Sequence, residues 1–359
     1  MDISQIDKNF AVKPINEPDV EWFDVTQKPF SLHGVYYDEQ AECFRRMPQE
    51  VADKVNEGVA WGSRCSTGGR VRFMTNSPYV AVKCVENFGA AMTNMTWIGS
   101  HGFGLYAENK FFGTVHCQYN PKTPTVEGKF AFEGVRYLPT LSLEEITVNM
   151  PLYNGVSKMY IGLKKGSALQ EAKPYAYQKP VVYYGSSITQ GGCASHPGND
   201  YQSFLSRWLD CEHINLGFSG SAKGEPAMRD YLATLDMSVF VLDYDHNAPN
   251  EEHLQDTHYL VYEAVRKAQP KTPIIMMSRP DFEQVGSASI KRRAIIRETY
   301  QRAKKQGDKL VWYIDGEKMF QKHERTACTV DFCHPNDLGF YRMAQTIAPV
   351  LKKALKKSK

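Results

Sequence analysis

Four short stretches carry side chains that can do chemistry. Gly185–Ser186–Ser187–Ile188–Thr189–Gln190–Gly191–Gly192 is a small-residue turn able to hold a serine hydroxyl beside backbone N–H groups. Gly217–Phe218–Ser219–Gly220–Ser221–Ala222–Lys223 is a second turn with exposed amides, and Asp243–Tyr244–Asp245–His246–Asn247–Ala248–Pro249 offers the side-chain amide of Asn247. Asp331–Phe332–Cys333–His334–Pro335 sets a carboxylate three residues before an imidazole, a spacing that lets the acid hold the ring in one tautomer. Serine, imidazole and carboxylate are groups of covalent acyl chemistry. Singly, each stretch is ordinary: a serine in a glycine-rich turn is usually structural, and a histidine before proline usually caps or faces solvent. A phosphate loop is the other reading of the first turn, but it lacks the P-loop lysine and its glycine spacing fits no dinucleotide fingerprint.

The elements that must position these stretches come in two textures. Residues 19–163 form short β-rich segments broken by Gly, Pro and Asn, such as Arg70–Val71–Arg72–Phe73–Met74 and Tyr79–Val80–Ala81–Val82–Lys83–Cys84, and read as an all-β sandwich. Beyond about residue 175 the pattern changes to short buried strands, 180–184, 214–216, 239–242, 274–277 and 310–314, alternating with amphipathic stretches such as 250–269 and 287–306. Continuous apolar strands with helical crossovers imply a parallel sheet covered on both faces. The expected division is therefore residues 1–175 for the sandwich and 176–359 for an α/β domain that carries the chemistry. Ligands of such sheets bind beyond the carboxyl ends of the strands, and there all four stretches fall in chain order. The helix after the first turn is expected to begin near Gly198, and the last to run from Leu338 to about Lys357.

Composition excludes several classes. The 359 residues are 42% hydrophobic and 23% charged, as in ordinary globular chains, and 43 basic against 40 acidic side chains leave +3, which gives no reason to propose nucleic acid or an anionic membrane as partner. No apolar run approaches the roughly 20 residues of a membrane span. The start, Met1–Asp2–Ile3–Ser4–Gln5–Ile6–Asp7, lacks the features of a secretory signal, so the chain reads as cytoplasmic as given, or as secreted or periplasmic with a leader removed. Eight scattered cysteines read as reduced thiols. Cys328 and Cys333 with His334 have no second pair at zinc-finger spacing, so no metal and no cofactor are expected. Oligomeric state is not legible.

Taken in order, Ser, Gly, Asn and Asp-x-x-His resemble the SGNH (GDSL-type) hydrolase superfamily. Tyr184 to Ser195 with His196–Pro197–Gly198, and Asp331-x-x-His334–Pro335 with Asp337–Leu338–Gly339–Phe340, are similar to the subgroup with an N-terminal β-sandwich. Gly102–Phe103–Gly104–Leu105–Tyr106 is similar to that subgroup's Gly-x-Asp-Leu-Tyr signature, and Leu152–Tyr153–Asn154–Gly155–Val156 also resembles a stretch of that subgroup. Two residues depart: Ser186 stands where the superfamily usually has Asp, and Gly104 replaces the Asp of the N-terminal signature. The resemblance implies a flavodoxin-like, three-layer αβα SGNH hydrolase domain preceded by a jelly-roll-like sandwich.

It also implies an acyl-enzyme mechanism. Ser187 would attack an ester carbonyl, His334 would take and return its proton, Asp331 would orient the imidazole, and Ser187 N–H, Gly220 N–H and the Asn247 amide would hold the oxyanion. Adjacent Ser186 is the rival nucleophile, and the motif register favours Ser187. His246, three residues after Asp243, repeats the Asp-x-x-His spacing and is the rival base; the match of the final block favours His334. His196 lines a pocket or packs, His246 sits beside the Asn block, and Arg279, in Arg279–Pro280–Asp281, is on the same rim. Tyr106 belongs to an aromatic-rich sandwich able to stack on sugars. Substrate contact is expected of these four. The expectation is a serine esterase removing short acyl groups, acetyl above all, from a small-molecule or oligosaccharide ester. An acyltransferase or lipase-type acylhydrolase with the same triad, and a non-catalytic carbohydrate-binding protein, are the alternatives.

Overall fold

The computed structural model describes residues 3–8, 11–12, 14–88, 92–117, 127–280 and 287–358. The chain divides into two compact units: residues 1–45, 65–173 and 196–198 form one, and residues 46–64, 174–195 and 199–359 the other.

The first unit is antiparallel. Among the described residues, one sheet orders strands Val20–Asp24, Gly155–Lys164, Tyr79–Phe88 and Glu127–Tyr137, and a second runs Leu169–Gln170, Arg70–Thr75, Glu144–Asn149, Phe103–Ala107 and Lys110–Val115, with Ser31–His33 beside Arg70–Thr75. Alternation decides what each strand buries: Val80, Val82 and Cys84 share one core with Val71, Phe73, Leu105, Ile146 and Val148 of the other sheet. The intervening Tyr79 and Ala81 face the opposite way, against Trp22 and Val135. A core drawn from the inner faces of two antiparallel sheets is a β-sandwich.

The second unit is built on five parallel strands in the order Cys211–Gly217, Tyr177–Gly185, Val239–Asp243, Ile274–Met277, Val311–Ile314. In chain order that is 2-1-3-4-5, the flavodoxin-like arrangement, with its switch point between the first and third strands. Val182, Tyr184, Phe240, Leu242, Ile274 and Met276 pack on one face with Met228, Leu232, Leu254, Val261, Val265 and Ile296 from helices Pro226–Thr234, Glu251–Ala268 and Ser287–Lys305. On the other face Tyr183 meets Tyr201, and Tyr201 meets Phe340, from helices Tyr201–Leu209 and Asp337–Lys357. Helices therefore cover both faces, as continuous apolar strands require.

Two helix starts differ from expectation. The small-residue turn after the first strand contains a one-turn helix, Ser187–Gln190, ended by Gly191 in the left-handed region at φ 89°. The next helix begins at Tyr201 rather than near Gly198, because Asp200 is its N-cap and accepts from Ser203 N at 2.9 Å.

Candidate active site

Register brings the first three stretches to one edge. Gly185 pairs with Gly217 on one side and with Asp243 on the other, so the residues that follow all leave the sheet at the same level. The short helix after Gly185 is seated tightly there. A Cβ on Gly217 would lie 2.2 Å from Gln190 N, so only glycine lets that strand end approach the helix backbone. Ser186 Oγ accepts from Ile188 N at 3.2 Å, and Thr189 O accepts from both Gln202 and Asn215 side chains at 2.7 Å. Gln190 Oε1 accepts from Ser219 N at 2.9 Å, joining this helix to the second stretch.

Beneath it, buried Asp243 accepts from Thr189 Oγ1 at 3.0 Å and Tyr201 OH at 3.1 Å. Burial, then the charge of Asp245, pushes its carboxyl well above the usual range. Asp245, also buried, is pushed up to about 6.

The fourth stretch is shaped by its own carboxylate. Asp331 Oδ1 accepts from Cys333 N at 3.1 Å and His334 N at 2.7 Å, Phe332 takes a left-handed φ of 62°, and Thr329 bridges to Pro335. The loop ends at Asn336, which caps helix Asp337–Lys357 by accepting from Gly339 N at 3.1 Å. Asp337 of that helix accepts from Ser195 N at 2.8 Å and Ser195 Oγ at 2.5 Å, tying the loop after the Ser187 turn to this one.

These supports set Ser187 Oγ 2.9 Å from His334 Nε2, and His334 Nδ1 2.8 Å from Asp331 Oδ2. The relay of hydroxyl, imidazole and carboxylate is continuous. Ser186, the other serine, is a helix cap. His246 lies 3.7 Å from Cys333 Sγ, and burial followed by the charges of Arg279, His334 and Arg292 holds its imidazole far below the usual histidine range. His334 is raised to about 9, first by its hydrogen bond with Cys333 and then, against burial, by that with Asp331.

Gly220 has φ 68° and open space where a side chain would stand. Asn247 Oδ1 accepts from Ala222 N at 3.3 Å, which leaves Nδ2 as the donating end of the amide. Arg279 N donates to Asp245 Oδ2 at 3.1 Å; Asp281 lies outside the described residues. Tyr106 and His196 both belong to the sandwich unit, with ring centroids 6.4 Å apart and Phe111 stacked on His196 at 4.3 Å. A Cβ on Gly104 would lie 1.9 Å from Pro197 O, so the segment 196–198 occupies the space an aspartate there would need.

Sequence reasoning missed one group of supports. Helices Gln49–Val55 and Glu57–Gly62 lie in a stretch read as all-β, yet residues 46–64 belong to the α/β unit. Buried Arg46 donates from Nη1 to Asn215 O at 3.0 Å and Gly217 O at 2.8 Å, and its guanidinium lies over Phe218 at 4.7 Å. Asn56 Nδ2 donates to Ser221 O at 3.0 Å and Glu225 Oε1 at 2.6 Å. No local signal in the sequence marks these long-range partners.

Residues 178–352 match the GDSL-like Lipase/Acylhydrolase family, and residues 20–169 match the N-terminus of esterases of the SGNH-hydrolase type. The chain belongs to the SGNH/GDSL hydrolases. It is thus an enzyme, an esterase/acylhydrolase of SGNH type. Among solved structures, this hydrolase is similar to a Bacteroides ovatus protein crystallised as a GDSL-like lipase, with TM-score 0.82, 26% identity and coverage of 94% of this chain and 98% of that one. The salicylyl-acyltransferase SsfX3 of a tetracycline biosynthetic pathway gives 0.70 at 16% identity, covering 92% and 96%. A family two carbohydrate esterase from Clostridium thermocellum, solved with cellohexaose, gives 0.64 at 12%, covering 91% and 99%. No curated protein sequence matches the chain. Among the described residues, no helix is long and apolar enough to cross a membrane.

Proposed function

We propose that this SGNH hydrolase removes short acyl groups, above all acetyl, from a carbohydrate or similar small polyol ester, through an acyl-enzyme on Ser187. The observation that carries the reading is the 2.9 Å and 2.8 Å pair of contacts linking Ser187, His334 and Asp331. His334 Nε2 takes the Ser187 proton as Oγ attacks the ester carbonyl, and returns it to the departing alcohol; a water then repeats the cycle to release the acid. Asp331 holds Nδ1–H and stabilises the imidazolium. The oxyanion is met by the amides of Ser187, in the first turn of its helix, and Gly220, and by Asn247 Nδ2. The likeness to carbohydrate esterases supports a sugar as the alcohol part; at 12% identity it is a likeness of fold. A screen of acetate release over acetylated oligosaccharides, with Ser187→Ala as control, tests the reading; release equal to the control's from every substrate overturns it.

The fold shared with the salicylyl-acyltransferase favours a second reading, transfer of the acyl group to an acceptor alcohol by the same residues. Product analysis with a short acyl ester, with and without sugar acceptors, separates the two: a new ester in place of free acid means transfer.

A further inference from the structure

The Asp-x-x-His spacing occurs three times, at Asp210/His213, where the histidine lies inside a strand, at Asp243/His246 and at Asp331/His334, and the proposed chemistry uses only the last. His246, left over, is not remote. Its Nε2 lies 3.7 Å from Cys333 Sγ, and Cys333 stands between the two proposed triad members Asp331 and His334, whose donor atoms and the thiol all lie within 4.8 Å of one another. Thiolate, imidazole, imidazole and carboxylate are together the ligand types of tetrahedral zinc. For the pair that brings in His246 the spacing also fits. With Zn–S near 2.3 Å and Zn–N near 2.05 Å, two ligands of one tetrahedral ion stand about 3.6 Å apart, against 3.7 Å between Cys333 Sγ and His246 Nε2.

We propose that Cys333, His246, His334 and Asp331 form an inhibitory zinc site in which the metal takes the imidazole and carboxylate away from Ser187. The inhibitory consequence rests on the triad reading above; the site itself does not. On binding, the Cys333 thiol gives its proton to solvent and the His334–Asp331 hydrogen bond opens to admit the ion, so zinc and a working relay exclude each other. Side chains of Asp331 and His334 are 32% and 24% exposed, enough for a hydrated ion to arrive. A harder cation such as Mg2+, which prefers six oxygen ligands, has no matching donor set here.

The test uses the full chain with zinc chloride, read in two ways. Competition with a chromophoric zinc chelator measures binding, and p-nitrophenyl acetate turnover with and without zinc measures inhibition. The expected result is one zinc bound with turnover lost at least tenfold at micromolar zinc, restored by EDTA and not reproduced by magnesium. Cys333→Ser and His246→Gln should each weaken zinc binding by about 10–100-fold or more, the range known for disturbing even outer-shell partners. Zinc affinity and inhibition unchanged in Cys333→Ser overturn the proposal, as does zinc bound through Cys333 without inhibition of an active enzyme. If zinc binds through Cys333 but no ester is turned over even in EDTA, the esterase reading fails while the metal site stands.

Discussion

Arg46 donates to the carbonyl oxygen of Gly217 at 2.8 Å, across 171 residues of chain. Strand Cys211–Gly217 is the edge of the parallel sheet, and Asn215 and Gly217, two residues apart, present their carbonyls on the same side. One planar guanidinium therefore closes the open edge three residues before Gly220, with Phe218 packed under it. Arg46→Ala removes donors from carbonyls that stay buried, at about 1–3 kcal/mol for each group left unpaired. It should lower kcat by about 10- to 100-fold through a displaced Gly220 amide, with KM little changed. Arg46→Lys keeps the charge without the fork and should recover only part. Wild-type kcat in folded Arg46→Ala would remove Arg46 from the positioning of this turn.

His334 and His246, the two histidines that follow an aspartate by three residues beyond the strand ends, differ in their contacts. His334 touches Ser187, whereas His246 touches Cys333. Ser187→Ala and His334→Gln should each reduce kcat by about 10⁴-fold or more, and Ser187→Ala should lose fluorophosphonate labelling. His246→Gln in metal-free buffer should retain labelling at Ser187. Labelling that depends on His246 and not on His334 would reverse the assignment.

Asn247 is anchored through Oδ1, so its Nδ2 is the end available to a developing negative charge. Asn247→Ala should cost about 10²–10³ in kcat while Tm, read by differential scanning calorimetry, moves little because the residue is only half-buried. Unchanged turnover would take Asn247 out of the oxyanion site.

Much of this was legible in the sequence for a physical reason. Strands such as Ile274–Met277 are runs of buried apolar residues bounded by polar turns, and such runs announce themselves. Blocks at strand ends are equally local, so the relay could be expected before its distances were known. Residues 46–64 are different. Their helices are short, and their partners, the carbonyls of residues 215, 217 and 221, are set by a fold that no periodicity encodes. The approach of His246 to Cys333 is hidden for the same reason: it exists only once two loops from separate strand ends converge. Gly104 reads as a missing aspartate until residues 196–198 are seen in its space.

His334 is raised to about 9 by its contacts with Cys333 and Asp331, which favour the imidazolium. In the proposed mechanism His334 must be neutral to accept the Ser187 proton, so the acid limb of kcat/KM should rise with pH through a midpoint well above 6.5, toward 9. Cys333→Ala removes the larger of the two causes and should move that midpoint down. Stopped-flow or steady-state profiles in EDTA decide it; a midpoint at or below 6.5 in the wild type would show that these contacts do not hold the proton on His334.

Asp243 lies under helix Ser187–Gln190 with its carboxyl held well above 3.8 by burial and by Asp245. For an acid the sign is opposite to that of a salt-bridged carboxylate. Between pH 4 and its folded pKa the native chain holds a proton that the unfolded chain has lost, so stability falls as pH rises through that window. Asparagine at this position keeps the shape, can still accept from Thr189 and Tyr201, and has no charge to bury. Asp243→Asn should therefore gain stability relative to wild type as pH rises from about 4 to 8, and the difference in Tm between the two should widen across that range. A difference that stays flat, or narrows, would mean that Asp243 is ionised in the native protein and that Thr189 and Tyr201 hydroxyls suffice to hold its charge.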